Sequence, residues 1–305
     1  MLSRDIVSDG SPPLTVAVVG PGAIGTVVAA ALHARGLVPQ LCGRTARESL
    51  ALIADGDRIV VPGPVLTDHE LVTDRVDLVF LAVKATQIAD AAPWLAALCG
   101  PGTIVCVLQN GVEQVSSVAP FANGATVLPA VVWFPAQAQA DGAVWLRAPA
   151  RLTVPDVDAA RRVADALRGT RCSVDLSPEF ASVAWRKLMQ NAAAGLMALT
   201  GRRSGVFRRP DIARLTLAYL RECLAVARAE GALLGDEVPE EILAKFQSAP
   251  EDLGTSILAD REAGRPLEWD IRNGVISRLA RAHDIPTPIS DVVGVLLAAA
   301  SDGPG

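Results

Sequence analysis

Two groups of residues in this 305-residue chain have types and spacings suited to chemistry. The first is Gly20-Pro21-Gly22-Ala23-Ile24-Gly25, which reads G-x-G-x-x-G. It follows the apolar run Leu14 to Val19 and opens a helical stretch, Ala23 to Arg35, that Gly36 closes. That strand–turn–helix setting gives the pattern its weight. Gly20 makes the turn, Gly22 lets a backbone approach a pyrophosphate, and Gly25 lets helix and strand pack closely. The helix N-terminus at Ala23, Ile24 and Gly25 adds N–H donors and partial positive charge. Outside this setting the same residues would be an ordinary glycine turn. In the second group, Lys187 and Asn191 stand four apart and so share a helix face. Ser256 lies in a later helix, and Glu268 lies near the start of the next, after the break Gly264-Arg265-Pro266. Read alone, these four are also compatible with solvated polar side chains.

Elements must place these residues together. Leu14 to Val19, Leu78 to Val83 and Thr103 to Leu108 are continuous apolar runs, expected to be strands of a parallel sheet buried on both faces. Val38 to Cys42 is a shorter strand, and Asp55 to Thr67 reads as a hairpin. Ligands of open α/β sheets bind outside the carboxyl ends of the strands. The informative ends are therefore the glycine turn, Lys84, and Asn110, whose neighbour Gly111 permits a tight turn. A solvated lysine and a turn asparagine are the alternatives. At the end of the second strand an NAD site would carry Asp or Glu for the ribose hydroxyl. This chain has Gly43-Arg44-Thr45 with Arg47 close by. A planar, always charged guanidinium at Arg44 suits a 2′-phosphate, so NADPH is the expected cofactor; otherwise Arg44 is a surface arginine.

The fold class expected is α/β, an N-terminal doubly wound Rossmann domain followed by an all-α domain. Thr126 to Trp133, Ala143 to Val154 and Cys172 to Leu176 add strands that are partly antiparallel. Ser177 and Pro178 then read as an N-cap and first helical residue. From there helices are expected over 178–199, 209–231, 239–247, 252–263, 267–283 and 288–300. Ile212 to Ala229 is apolar nearly all round, as in a buried helix or a contact of a homodimer. The expected divisions are a disordered tail at 1–13, a nucleotide domain at 14–176, and a helical substrate and dimerisation domain at 177–305.

Composition narrows the classes. Half of the residues are hydrophobic, a fifth are charged and only 4% are aromatic, so the core must be aliphatic. A net charge of -5 argues against a nucleic-acid partner, which requires concentrated Lys and Arg. Cys42, Cys99, Cys106, Cys172 and Cys223 contain no CxxC pair and fit reduced thiols in the cytoplasm. His33, His69 and His283 lack metal-ligand spacing, so no metal is expected. The polar start and the broken first strand fit neither a secretory signal nor a membrane span.

The chain resembles the ketopantoate reductase family from about residue 14 to residue 300. The resemblance is carried by GPGAIG at Gly20–Gly25, LAVKATQ at Leu81–Gln87, LQNGV at Leu108–Val112, WRKLMQN at Trp185–Asn191 and SILADREAGRPLEWDIRNG at Ser256–Gly274. It implies NADPH-dependent reduction of a 2-keto acid, with Lys187 as general acid and Glu268 as its partner carboxylate. Asn110, Asn191 and Ser256 would orient substrate, while Lys84 would line the cleft beside the cofactor. Such types suit the reaction: alkoxide charge developing on the keto oxygen is met by an ammonium, which donates the proton. A lysine stays protonated at neutral pH unless burial is severe, and Glu268 is expected to help hold its charge. Two positions depart from the family. Gly195 stands where a second asparagine is usual, and Trp269 follows Glu268 where isoleucine is common. These leave room for a paralogue acting on another 2-keto acid. A non-catalytic NADP-binding regulator is the alternative from a different class, although sensing a nucleotide would need none of Lys187, Asn191, Ser256 and Glu268.

Overall fold

The structure, a computed structural model, describes residues 14–303. The expected disordered tail lies outside the described residues. β1 (Val16–Val19) is wholly buried, leads through the glycine turn into α1 (Ala23–Ala34), and is followed by β2 (Gln40–Cys42). β3 (Ser49–Ala54) and β4 (Asp57–Pro62) form an antiparallel hairpin across Asp55-Gly56, both at positive φ. An Asp-Gly pair favours that tight turn, because both positions tolerate left-handed backbone. The hairpin expected at Asp55 to Thr67 therefore starts earlier, and β5 (Val65–Leu66) leaves it to pair with β2.

β6 (Leu78–Leu81), α2 (Ile88–Leu98), β7 (Ile104–Val107), α3 (Gln114–Val118) and β8 (Thr126–Pro129) complete the main sheet. Its six strands run β5-β2-β1-β6-β7-β8, all parallel. The order reverses between β1 and β6, so the chain segments after these strands leave in opposite directions and open a crevice. Gly20 and Lys84 flank that crevice, and Asn110 follows the next strand.

β9 (Val131–Val132), β10 (Ala136–Ala138), β11 (Val144–Leu146), β12 (Ala150–Pro155), α4 (Asp158–Leu167) and β13 (Cys172–Ser177) come next. Strands β10-β11-β3-β4 and β13-β12-β9 make two smaller mixed sheets, in keeping with the partly antiparallel expectation. Packing against both faces of the main sheet is aliphatic, with Leu32, Leu52, Phe80 and Leu152 on one side and Leu81, Leu95 and Val107 on the other.

The rest is helical: α5 (Phe180–Thr200), α6 (Pro210–Ala229), α7 (Val238–Ser248), α8 (Ser256–Glu262), α9 (Val275–Ala282) and α10 (Pro288–Ser301). A π-turn over Asp270–Gly274 runs directly into α9. Ser177 does not cap α5. Its backbone pairs with Pro155 in the β12–β13 ladder, so the helix starts only at Phe180. The helix expected over 252–263 is shorter because Thr255 is extended. α6 is not buried all round: it hides Tyr219, Leu220, Cys223 and Val226 while exposing Arg214, Arg221 and Arg228. The spacing of those arginines keeps them on one solvent-facing stripe.

Candidate active site

The glycine turn has the shape its sequence requires. Gly20 sits at φ +86°, and a Cβ there would lie 2.6 Å from Val83 Cγ1. A Cβ on Gly25 would lie 2.5 Å from the Gly20 carbonyl oxygen, so helix and turn touch backbone to backbone. Gly22 differs: it is exposed, with nothing within 4 Å of its missing Cβ. The N-terminus of α1 has neither a side-chain cap nor an acidic residue in its first turn. A cradle of free N–H groups behind a bare glycine fits a dinucleotide pyrophosphate.

Gly43 brings the end of β2 against this turn, since a Cβ there would meet Pro21 Cδ at 2.9 Å. Arg44 is next in the chain and is exposed. Arg47 Nη1 donates to the Pro21 carbonyl at 3.4 Å, so two guanidinium-bearing residues border the cradle.

Across the crevice, four of the polar residues singled out in the sequence form one network. Asn191 Nδ2 donates to Asn110 Oδ1 at 3.1 Å, and Asn110 Nδ2 donates to Glu268 Oε2 at 3.5 Å. Glu268 Oε1 accepts the Ala85 N–H at 3.3 Å, which ties the helical half to the segment after β6. Arg272 Nη2 donates to Glu268 Oε2 at 3.2 Å and to Ser256 Oγ at 3.1 Å. Glu268 is buried, whereas Ser256, at the start of α8, is exposed. Lys84 lies at the same junction, with its ammonium held by Asp260 of α8 at 2.8 Å. Asp260 is itself buried and also binds Arg265 Nε at 2.8 Å.

Lys187 stands beside this network and not in it. Among the described residues it makes no hydrogen bond or ion pair, and its Nζ lies 4.9 Å from the centre of the Trp133 ring. The Trp133 indole is fixed by donating to Thr153 Oγ1 at 2.9 Å. Burial lowers the Lys187 pKa to about 8, with further lowering by the positive charges of Lys245 and Arg272. The expected help from Glu268 is absent in this arrangement, because the buried Arg272 guanidinium takes that carboxylate. The Trp133 face offsets part of the lowering by burial, with an attraction for the ammonium of about 0.5–2 kcal/mol.

The two departures from the family acquire structural reasons. A Cβ at Gly195 would lie 2.8 Å from Asn273 Nδ2 and 2.9 Å from Leu297 Cδ1, so any side chain there would have to displace these neighbours. Asn273 fills that space, donating to the Ala192 carbonyl and to the Tyr219 hydroxyl. Trp269 packs on the helical core, with its ring edge close to Gly274.

Arg272, Trp133 and Asp260 escaped the sequence reading. Arg272 had a signal, its placement four residues after Glu268 at a helix start. Nothing local marks Trp133, whose partner is more than fifty positions away. Among the described residues, no group of three His, Cys, Asp or Glu could hold a metal ion.

A parallel sheet with a glycine cradle at its switch point, facing a polar cleft with an ammonium and a carboxylate, defines a nicotinamide-nucleotide-dependent oxidoreductase class. The family model described as ketopantoate reductase PanE/ApbA matches residues 16–159, and its C-terminal counterpart matches residues 179–301. A 2-dehydropantoate 2-reductase from Mycobacterium tuberculosis is 57% identical over 291 residues, covering 95% of this chain and 99% of the relative. One from Caulobacter vibrioides is 36% identical over 288 residues, covering 94% and 99%. The structure of a dimeric ketopantoate reductase from Staphylococcus aureus superposes with a TM-score of 0.85 at 30% identity, covering 96% of this chain and all of that one. The chain belongs to the ketopantoate reductase family.

Proposed function

We propose that this chain reduces the ketone of ketopantoate to the hydroxyl of pantoate, using NADPH. The observation that carries the reading is the convergence of Asn110, Asn191, Ser256 and Glu268 on one cleft beside the glycine cradle, with Lys187 at its edge. When bound, the reduced nicotinamide supplies the hydride.

The chain's residues supply the rest. Gly20, Gly22 and the first turn of α1 hold the pyrophosphate, and Arg44, with Arg47 beside it, meets the 2′-phosphate. Lys187 donates its Nζ proton to the carbonyl oxygen as negative charge develops there. A pKa of about 8 suits that task, since the group is mostly protonated at neutral pH yet gives up its proton more readily than a free lysine. Asn110 and Asn191 orient the substrate, Ser256 donates to its carboxylate, and Glu268 accepts from its hydroxyl. Lys84, paired with Asp260, ties the segment after β6 to α8 and would line the cleft beside the cofactor.

Residues 14–176 form the nucleotide domain and 177–303 the substrate domain in this account. A homodimer in the cytoplasm completes it. The dimer is supported by the exposed apolar stripe Val292, Val295 and Leu296 on α10, and the cytoplasm by five unpaired, buried cysteines. Oxidation of NADPH across a panel of 2-keto acids tests the reading. Turnover should be fastest with ketopantoate. Faster turnover of another keto acid would assign the chain to a paralogous activity, and tight NADPH binding without turnover would make it a regulator.

A further inference from the structure

We infer that Arg272 is a positioning residue that fixes Ser256 as a donor and Glu268 as an acceptor toward the substrate, and thereby sets a preference for 2-keto acids carrying a hydroxyl. The inference rests on the reading of this cleft as the reductase site.

Arg272 is 2% exposed and is the largest fully buried side chain of the described structure. A guanidinium only donates. Its Nη2 gives to Ser256 Oγ and Glu268 Oε2, two groups that reach it from different segments. A hydroxyl has one proton and two lone pairs, so Ser256, once it accepts from Arg272, has its own proton to give elsewhere. Ser256 is exposed at the start of α8, and the open side of the cleft is where that proton can go. It then meets an anionic oxygen such as a substrate carboxylate. Glu268 is sorted the opposite way. With one oxygen on Arg272 and Asn110 and the other on the Ala85 N–H, it receives only donors, so a substrate group approaching it must donate as well.

Among the described residues, both hydrogen bonds of Arg272 go to cleft side chains, and the buried Nε has no partner. Its backbone lies in the π-turn Asp270–Gly274, an irregularity often found at functional sites. The turn takes glycine at its end, since a Cβ on Gly274 would lie 2.6 Å from Asp270 Oδ1.

The test compares kcat/KM for ketopantoate with that for trimethylpyruvate, the same carbon skeleton without the hydroxyl. Arg272→Gln is the first variant, and Arg272→Met replaces it if the first does not fold. The ratio of the two kcat/KM values is expected to fall tenfold or more in the folded variant while the Kd for NADPH stays within about twofold. A purely structural role would slow both acids alike. A ratio within twofold of the parent overturns the inference alone. A parent that turns over neither acid overturns the inference together with the reading of the site.

Discussion

Lys187 Nζ lies 4.9 Å from the centre of the Trp133 ring, and among the described residues it makes no hydrogen bond or ion pair. The arrangement separates the two charges of the site. Glu268 is neutralised by Arg272 within the helical half, and the ammonium remains uncommitted at the cleft edge. A lysine locked to a carboxylate would be a poor proton donor, because the ion pair favours its charged form. Burial acts in the other direction here and weakens its hold on the proton.

A pH profile follows from this. Reduction requires protonated Lys187, so kcat/KM for the keto acid should fall as pH rises through about 8, well below the ordinary lysine range. Rate measurements across neutral and alkaline pH, with NADPH saturating, check it. A plateau persisting to about pH 10 would show that no group titrating near 8 gates the chemistry.

Trp133 should tune that limb. Replacing the indole by an aliphatic side chain in Trp133→Leu removes a stabilisation of the ammonium of about 0.5–2 kcal/mol. The alkaline limb should therefore move down by about 0.4 to 1.4 units, at about 1.4 kcal/mol per unit. Trp133→Phe, which keeps an aromatic face, should move it less.

The same shift predicts an effect on stability. The folded Lys187 pKa, about 8, lies below its ordinary value of 10.5, so between these the unfolded chain binds the extra proton. Stability then rises with pH through that window, and below it the buried ammonium is a net cost. Lys187→Met should raise Tm at neutral pH by more than it does near pH 10.5, as calorimetric melts at the two pH values would show. An equal change at both would mean the ammonium carries no burial penalty.

Arg44→Ala should lower the preference for NADPH over NADH by roughly tenfold or more, since a charge-assisted hydrogen bond contributes about 1.5–3 kcal/mol. Fluorescence titrations with each nucleotide measure it. An unchanged ratio would remove Arg44 from the 2′-phosphate site and turn attention to Arg47.

Gly195→Ala should destabilise the protein by about 1–3 kcal/mol, because its Cβ would enter the space of Asn273 and Leu297. Pairing it with Asn273→Ala should recover part of that loss, and the two substitutions should be strongly non-additive in denaturant unfolding. The close approach of the π-turn to α5 thus depends on Gly195 having no side chain.

These residues show what a sequence makes legible. The glycine turn could be read directly because strand, turn and helix are contiguous and each glycine answers a local requirement. Lys187 and Asn191 could be placed on one helix face by spacing. Ser256 and Glu268 gained meaning only through the family resemblance, since twelve positions and an interruption of the helix separate them. Arg272 and Trp133 belong to contacts between distant segments, which no local pattern encodes. Ser177 misled for a related reason: its capping signal is genuine, but the β12–β13 ladder claims its backbone first. In α6 the apolar residues drew attention from the evenly spaced arginines that mark its solvent face.

The central claim is that Lys187 delivers the proton in an NADPH-dependent reduction of ketopantoate. Turnover of ketopantoate by the parent and by Lys187→Ala, with NADPH affinity measured on both, tests it most directly. The account predicts a kcat lowered by about 100-fold or more with NADPH affinity unchanged. Near-normal turnover in Lys187→Ala would contradict it.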